Sequence, residues 1–184
     1  MKPKDLALVA LFAALTAALG LSPVIPLPVI AVTFALQTLG VLLAGGIIGA
    51  RRGALAMLLV IALVAIGLPV LTGGQGGIGK LIGPTAGFIW SWPASALLTG
   101  WLTERWWTRL NWPRAALAAG LGSVAMYPLG QTVVALWTGL PFNTAIWSWV
   151  LYLPGDLVKS AIAATVIVTV KRAYPLITPG RERS

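Results

Sequence analysis

Six long apolar stretches, joined by short connections, restrict the possible folds of this chain more than any other feature. Each stretch is near the length that a helix needs to cross the hydrocarbon core of a bilayer. Only 9% of the 184 residues are charged and 58% are hydrophobic, which is typical of a membrane protein. We predict an all-α integral membrane protein, a single domain over residues 1–184 with six transmembrane helices. The approximate spans are Leu6–Leu21, Phe34–Ala50, Ala54–Leu71, Thr85–Thr103, Ala115–Trp137 and Thr144–Val170.

The distribution of basic residues predicts the orientation of these spans. Eleven of the 13 Lys and Arg residues fall on one side of a six-span bundle. Short loops rich in Lys and Arg stay in the cytoplasm, so both termini are predicted to be cytoplasmic. Topology and anionic lipid headgroups then explain the net charge of +9, and no nucleic-acid partner is expected. The eleven residues are Lys2, Lys4, Arg51, Arg52, Arg105, Arg109, Arg114, Lys171, Arg172, Arg181 and Arg183.

The first apolar stretch follows a short basic start, so a cleaved signal peptide is the alternative to a first span. No small-residue cleavage site clearly precedes a mature domain, and five further apolar stretches follow. We therefore expect this stretch to be kept as a transmembrane helix.

The residue types that enzymes most often use are scarce in this chain. It has no Cys, no His and four acidic residues. Thiolate nucleophiles, the usual neutral-pH base and the commonest metal ligands are therefore missing. An intramembrane hydrolase would need a nucleophile with a base, or two carboxylates. No catalytic residue, metal site or cofactor is expected.

Asp156 and Lys159 lie three residues apart in the sixth stretch, just after Pro154-Gly155, where the helix is expected to be broken. A charge at membrane depth costs about 3 kcal/mol on insertion scales, so such residues are usually kept for function. On a helix this spacing places both on one face. Asp156 could instead cap the helix, and Lys159 could reach outward to the headgroups. We favour a ligand site, in which the pair supplies one acceptor and one cationic donor.

Three irregular segments connect the spans on the side opposite the basic loops. Ser22–Thr33 contains three prolines that forbid a continuous helix, so we expect an extended flap over the bundle. Thr72–Pro84 contains six glycines that permit close backbone approach. Gly139–Asn143 leads into the sixth stretch. Together they predict a lidded pocket that opens outward. Gln37 lies close to that end and could add an amide to the pocket or form an interhelical hydrogen bond.

The glycine-rich segment contains two nucleotide-motif look-alikes. Gly74–Gly79 matches G-x-G-x-x-G, and Gly74–Lys80 nearly matches a P-loop, with Leu81 in place of Ser or Thr. Both motifs need a strand before and a helix after within a βαβ unit, and here the neighbours are membrane spans. We reject both, so the chain is not expected to carry its own ATPase.

Two further patterns have structural alternatives. Ala10, Ala14 and Ala18 form a small-residue stripe that permits close helix packing, either within the bundle or against a partner. The tryptophans predict interfacial aromatic belts, although some of the outer ones could line a ligand pocket. The predicted belt residues are Trp106, Trp107 and Trp112 on the inner side and Trp137, Trp147 and Trp149 on the outer side.

Three strings resemble the BioY family, the biotin-binding S components of energy-coupling factor (ECF) vitamin transporters. They are Phe34–Gly46, the loop Gly73–Gly77 with Gly83–Phe88, and Leu153–Lys159. The resemblance covers nearly the whole chain in the same order. It implies a six-helix S-component fold with an outward-facing vitamin pocket, capped by the first outer loop, in a multi-pass protein of a bacterial or archaeal cell membrane.

The resemblance also implies roles for individual residues. Asp156 and Lys159 match the polar pair that contacts the ureido ring of biotin. Phe88 stands where many members have Tyr, and Ile89 offers no charge to the biotin carboxylate, so Lys80 could serve instead. The implied substrate-binding residues are Asp156, Lys159, Gln75, Gln37, Gly74, Gly76, Gly77, Phe88 and Lys80.

The implied partners are a membrane coupling subunit of the EcfT type and two ATPase subunits of the EcfA type. The resemblance assigns the stripe of Ala10, Ala14 and Ala18 to the contact with the coupling subunit. The implied function is capture of biotin from outside for import driven by the partners' ATP hydrolysis. The alternative is an ion-coupled secondary transporter with Asp156 as its coupling site, although such folds usually show paired broken helices.

Overall fold

The structure is a computed structural model that describes residues 1–21, 25–27, 30–34, 36–139, 141–147, 150 and 152–177. Helices dominate these residues, which confirms the predicted helical class. The elements, in chain order, are α1 Pro3–Gly20, β1 Ile25–Leu27, β2 Ile30–Phe34, α2 Gln37–Ile48, α3 Ala50–Ala65, α4 Ile78–Ile82, α5 Ala86–Arg105, a 3-10 turn Trp107–Arg109, α6 Trp112–Val124, α7 Tyr127–Thr138, α8 Phe142–Trp147 and α9 Leu153–Ala173.

The short hairpin β1–β2 is the exception, within the described residues, to an all-α architecture. Its strands are antiparallel, with Ile25 opposite Phe34 and Leu27 opposite Ile30. The hairpin lies in the proline-containing segment that we expected to be extended, because proline lacks the amide that a helix needs. Since Phe34 belongs to β2, the second helix starts later than predicted, at Gln37. The packing of this segment over the bundle stays a prediction.

Within the described residues, three helical segments are long and apolar enough to cross a membrane. They are Pro3–Gly20, Trp112–Thr138, which contains α6 and α7, and Leu153–Ala173. The helix Gln37–Ile48 is apolar but shorter. Large apolar side chains also cover the outside of the bundle: Leu11 is 60% exposed, Leu97 49% and Leu136 79%. An exposed apolar surface of this extent fits contact with lipid rather than with water.

A one-residue turn joins α2 to α3 and moves the predicted boundary. Gly49 has φ 90°, a conformation that favours glycine, and the amide of Ala50 donates to Glu104 Oε1 at 2.7 Å. The third helix therefore starts at Ala50 instead of Ala54 and ends at Ala65. Arg51 and Arg52 lie in its first turn and not in a loop.

The fifth and sixth predicted spans are each divided. The fifth becomes α6 and α7, which meet at Ala125–Met126 because Pro128, in the first turn of α7, lacks an amide for a continuous helix. In the sixth, the short helix α8 precedes α9. The predicted break of this span is present, but it lies before Leu153 and not at Pro154-Gly155, because Pro154 is in the first turn of α9, where proline is tolerated.

Contacts between distant segments gather the basic residues at one end of the bundle. Arg52 Nη1 pairs with Asp5 Oδ1 at 3.3 Å, so the N-termini of α1 and α3 meet there. Lys171 Nζ donates to the carbonyl of Leu110 at 3.2 Å, which joins the end of α9 to the connection before α6. Lys4 Nζ lies 5.5 Å from the ring centre of Tyr174, beyond α9.

The tryptophans of the predicted aromatic belts differ in their exposure. Trp112, Trp137 and Trp147 are exposed, as belt residues must be. Trp107 is buried, with Lys171 Nζ 5.4 Å from its ring centre, so it belongs to the protein interior and not to the inner belt. Trp149 lies outside the described residues.

Candidate functional site

A cavity of about 380 Å³ lies near the N-terminal ends of α2, α5, α7 and α9, beside the connection between α3 and α5. This volume is within the range of small-molecule sites. Of the nine predicted binding residues, six line it and three do not. The lining residues are Gln37, Thr38, Leu71, Thr72, Gln75, Lys80, Thr85, Phe88, Ile89, Trp92, Ser123, Met126, Tyr127, Tyr152, Asp156 and Lys159.

Asp156 and Lys159 form an ion pair at the cavity wall. Lys159 Nζ lies 2.8 Å from Asp156 Oδ1, and the two side chains are 9% and 16% exposed. The ammonium also donates to Thr38 Oγ1 of α2 at 2.9 Å. Because removing charges from water is costly, a buried pair needs such extra hydrogen bonds.

Both structural alternatives for this pair are wrong. The N-cap position of α9 is Tyr152, and Asp156 lies four residues further on, inside the helix. Lys159 is buried and held by Asp156 and Thr38, so its head does not extend toward the headgroups.

Tyr127 holds the other oxygen of the same carboxylate. Its hydroxyl donates to Asp156 Oδ2, and the tyrosine is 8% exposed. Asp156 is therefore fixed by Lys159 on one oxygen and by Tyr127 on the other. Each carboxylate oxygen can accept more than one hydrogen bond, so this arrangement orients the carboxylate and keeps it able to accept from a ligand.

Three aromatic rings form a continuous wall beside the ion pair. Phe88 meets Tyr127 edge-on at 6.4 Å between ring centres, and Tyr152 lies 6.3 Å from Phe88 and 6.2 Å from Tyr127. Gly130 of α7 makes room for this wall, because a Cβ there would lie 2.6 Å from Phe88 Cζ. Such a wall offers an apolar surface to a flat or ring-shaped ligand.

Gln37 connects α2 to the α3–α5 connection. Its Nε2 donates to the carbonyl of Val70 at 2.7 Å, and its Oε1 accepts from Thr72 N at 3.1 Å and Thr72 Oγ1 at 3.2 Å. The side chain is 1% exposed. Gln37 lines the cavity, and both ends of its amide hold the connection in place, so the hydrogen bond that the alternative placed between helices runs from a helix to a loop.

The glycine-rich segment contributes Gln75 and Lys80 to the cavity, but not its predicted glycines. Gln75 exchanges two backbone hydrogen bonds with Leu71, of 2.8 and 3.1 Å, which places its side chain at the lining. Gly74, Gly76 and Gly77 do not line the cavity among the described residues. Gly74 and Gly77 have φ 69° and 90°, so their contribution is to let the backbone turn.

The alanine stripe lies away from the cavity, on the outside of α1. Ala10, Ala14 and Ala18 are all exposed, whereas the neighbouring Ala13 is 1% exposed and packs in the core. Packing within this chain therefore does not account for the stripe.

Sequence reasoning missed Tyr127, Tyr152 and Thr38. Thr38 follows Gln37 and Tyr152 precedes the Leu153–Lys159 string, two features singled out in the sequence, whereas Tyr127 precedes Pro128 inside a predicted span. A polar side chain beside a proline in an apolar stretch is a usable signal, because the proline marks a helix start.

The cavity is equipped for recognition by hydrogen bonding and apolar contact. One oriented carboxylate and one ammonium stand beside an aromatic wall, with Lys80, Gln75 and Thr72 supplied by the α3–α5 connection. Among the described residues, no group of three or more acidic side chains could hold a metal ion. This chemistry suits a small molecule that has both N–H donors and a carbonyl.

Comparison with known proteins agrees with this chemistry. A model of the BioY family matches residues 1–176. The chain belongs to the BioY family. The biotin transporter BioY of Rhizobium etli is 44% identical over 186 residues, covering 96% of this BioY-family chain and 98% of that protein. The biotin transporter BioY of Rhodobacter capsulatus is 45% identical over 188 residues, covering 94% and 95% respectively.

A solved structure is similar in fold to this BioY-family chain over most of its length. It is the crystal structure of the S-component for biotin from an ECF-type ABC transporter, with a TM-score of 0.84 and 28% sequence identity. The match covers 94% of this chain and 95% of that chain. The family resemblance inferred from the three sequence strings is therefore confirmed. A BioY-family chain is a transport protein and not an enzyme.

Proposed function

We propose that this chain is the biotin-binding S component of an ECF-type vitamin transporter, which captures biotin from outside for import powered by partner subunits. The observation that carries the proposal is the buried pair of Asp156 and Lys159, placed beside an aromatic wall in a cavity of small-molecule size. The BioY relatives and the solved biotin S-component support the choice of ligand.

The ion pair binds the ureido ring of biotin. A ureido group has two N–H donors and one carbonyl acceptor, so Asp156 accepts and Lys159 donates. Hydrogen bonds to charged partners are the stronger class, and Tyr127 and Thr38 keep the two charges in position. The pairing of Asp156 with a cation and a hydroxyl favours ligand recognition over the alternative of an ion-coupling site.

The remaining parts of biotin have matching surfaces. The sulfur-containing ring and the aliphatic chain pack on Phe88, Tyr127 and Tyr152. The ligand carboxylate reaches the α3–α5 connection, where Lys80 supplies a positive charge and Gln75 an amide. Gln37 contributes to biotin binding indirectly, because it holds the α3–α5 connection in place.

We assign this cavity to the outer side of the membrane. It lies near the N-terminal ends of α2, α5 and α9, whereas the basic residues collect near the opposite ends of these helices. The basic end faces the cytoplasm by the positive-inside rule, so both termini are cytoplasmic. Residues 1–184 form one multi-pass domain with six crossings in a prokaryotic cell membrane, and Ser22–Thr33 closes over bound biotin.

The energy comes from other chains. The exposed stripe of Ala10, Ala14 and Ala18 packs against a helix of an EcfT-type coupling subunit, since small residues permit two helices to approach closely in a bilayer. Two EcfA-type subunits bind and hydrolyse ATP. The chain itself needs no cofactor and no nucleic acid.

Calorimetric titration of the purified chain with biotin, thiamin and riboflavin tests the ligand. We expect saturable heat with biotin alone, and heat with another vitamin but none with biotin would refute the assignment. Uptake by cells with and without the ATPase subunits tests the energy source. Uptake that collapses with the ion gradient and needs no ATPase would instead support the ion-coupled alternative.

A further inference from the structure

A second cavity lies at the basic end of the bundle, away from the proposed biotin site. Its volume is about 550 Å³. Its lining comes from the C-terminus of α5, the 3-10 turn and the first turn of α6. The lining residues are Arg105, Trp106, Thr108, Arg109 and Arg114.

Three arginines border this one space, and local contacts hold Arg114 and Arg105. The side chain of Asn111 caps α6 by accepting from the backbone amide of Arg114 at 3.2 Å. The Arg114 guanidinium also donates to the carbonyl of Arg109, which ties the helix to the preceding turn. The guanidinium carbon of Arg105 lies 5.9 Å from the ring centre of Trp101. Charge placement for topology requires basic residues in this loop, but it does not require them to share a cavity.

No carboxylate balances the three guanidinium groups within the described residues. The acidic side chains there are Asp5, Glu104 and Asp156, and each has a partner outside this cavity. Arg105 and Arg109 are exposed and Arg114 is half-buried, and three like charges around one space attract an anion. Guanidinium groups match phosphate oxygens in charge and in geometry, so phosphate is the anion that this lining fits best.

The surface beside the cavity is apolar and aromatic. Trp101 is 49% exposed and Trp112 is 47% exposed, on the two helices that flank the arginines. Leu97 on α5 and Leu117 on α6 are 49% and 53% exposed. A phosphate held among the arginines thus has acyl-chain surfaces next to it, which a lipid uses and a free phosphate does not.

We propose that the cavity lined by Arg105, Arg109 and Arg114 binds the phosphate of an anionic membrane lipid, such as phosphatidylglycerol or cardiolipin. The site rests on membrane embedding of the chain and not on the identity of the vitamin. It ties the α5–α6 connection to the bilayer surface on the side opposite the biotin cavity.

Native mass spectrometry of the full chain, titrated with phosphatidylglycerol, measures this site. The paired substitution Arg105→Gln and Arg109→Gln removes two charges from the cavity. The paired control Lys4→Gln and Arg172→Gln removes two charges from exposed positions at the same end. Each basic contact with an anionic lipid is worth about fivefold in affinity, so the cavity pair should weaken lipid binding about thirtyfold. The control pair should change it less than fivefold.

Two other arms complete the test. Arg105→Lys with Arg109→Lys keeps the charge and should bind lipid more tightly than the Gln pair, which separates loss of charge from misfolding. Inorganic phosphate at the same concentration should neither bind measurably nor displace the lipid. Equal lipid affinity in the cavity pair and the control pair would overturn the proposal, as would binding of inorganic phosphate as tight as that of the lipid.

Discussion

Replacing Tyr127 with Phe isolates the group that orients the ligand-binding carboxylate. The phenylalanine ring keeps its place in the aromatic wall with Phe88 and Tyr152, and only the hydroxyl that donates to Asp156 is lost. The ion pair to Lys159 remains. The substitution therefore changes the freedom of one carboxylate and little else in the cavity.

The structure sets the size of the expected effect. A hydrogen bond to a charged group contributes about 1.5–3 kcal/mol, which corresponds to a factor of about 10 to 150. Because Lys159 still holds Asp156 Oδ1 at 2.8 Å, the carboxylate keeps part of its orientation. We expect an effect at the lower end of this range, with biotin bound about tenfold more weakly by Tyr127→Phe.

Calorimetric titration with biotin gives the affinity, and thermal unfolding without biotin gives the stability. The matched control is Ser95→Ala, which also removes a buried hydroxyl, one that donates to the carbonyl of Gly122 at 2.8 Å and is not part of the cavity lining. The control should lower the unfolding midpoint and leave biotin affinity within about twofold. If Tyr127→Phe lowers only the midpoint and keeps full affinity, Tyr127 does not orient Asp156 for the ligand.

Three other substitutions each test one feature: the aromatic wall, the Gln37 hydrogen bonds and the alanine stripe. Gly130→Ala places a methyl group against the Phe88 ring, an overpacking that costs about 1–3 kcal/mol or displaces the ring, and calorimetry should show weaker biotin binding. Unchanged affinity would mean that this wall does not contact biotin. Gln37→Leu removes the side-chain amide that holds the connection 66–77, so backbone amide hydrogen exchange in this connection should become at least about tenfold faster. Unchanged exchange would show that Gln37 does not hold the connection. Ala14→Leu should abolish co-purification of the coupling subunit without altering biotin affinity, whereas retained co-purification would exclude the alanine stripe as the contact.

The sequence was sufficient to predict the features that depend on local spacing. Asp156 and Lys159 are one helical turn apart, so their meeting on one face follows from helix geometry alone. The gathering of basic residues at one end follows from the alternation of spans and loops. The family was also recognisable, because its strings keep their order along the chain.

Features that depend on where helices stop were not predictable in the same way. Tyr127 reaches the cavity because α6 ends at Val124 and a new helix starts just before Pro128. In the sequence, this region is a continuous apolar run. Thr38 meets Lys159 across 121 residues, and no local pattern encodes such a contact.

The glycine-rich segment shows how a motif can indicate the right region and the wrong atoms. Its glycines were assigned to the ligand, yet Gly74 and Gly77 serve the backbone turns and only the neighbouring Gln75 and Lys80 line the cavity. A positive φ is a property of the folded backbone, and from sequence it cannot be distinguished from a need for close ligand approach.

The most direct test of biotin binding by the ion pair is a double-mutant cycle on biotin affinity with Asp156→Asn, Lys159→Met and the double variant. Each single change removes a charged ligand contact and leaves the remaining member of the pair without its opposite charge. We expect each single variant to bind biotin at least about tenfold more weakly, and the double variant to lose at least about 1 kcal/mol less than the sum of the two. Biotin affinity that is unchanged in either single variant would contradict the assignment of this pair to the ligand.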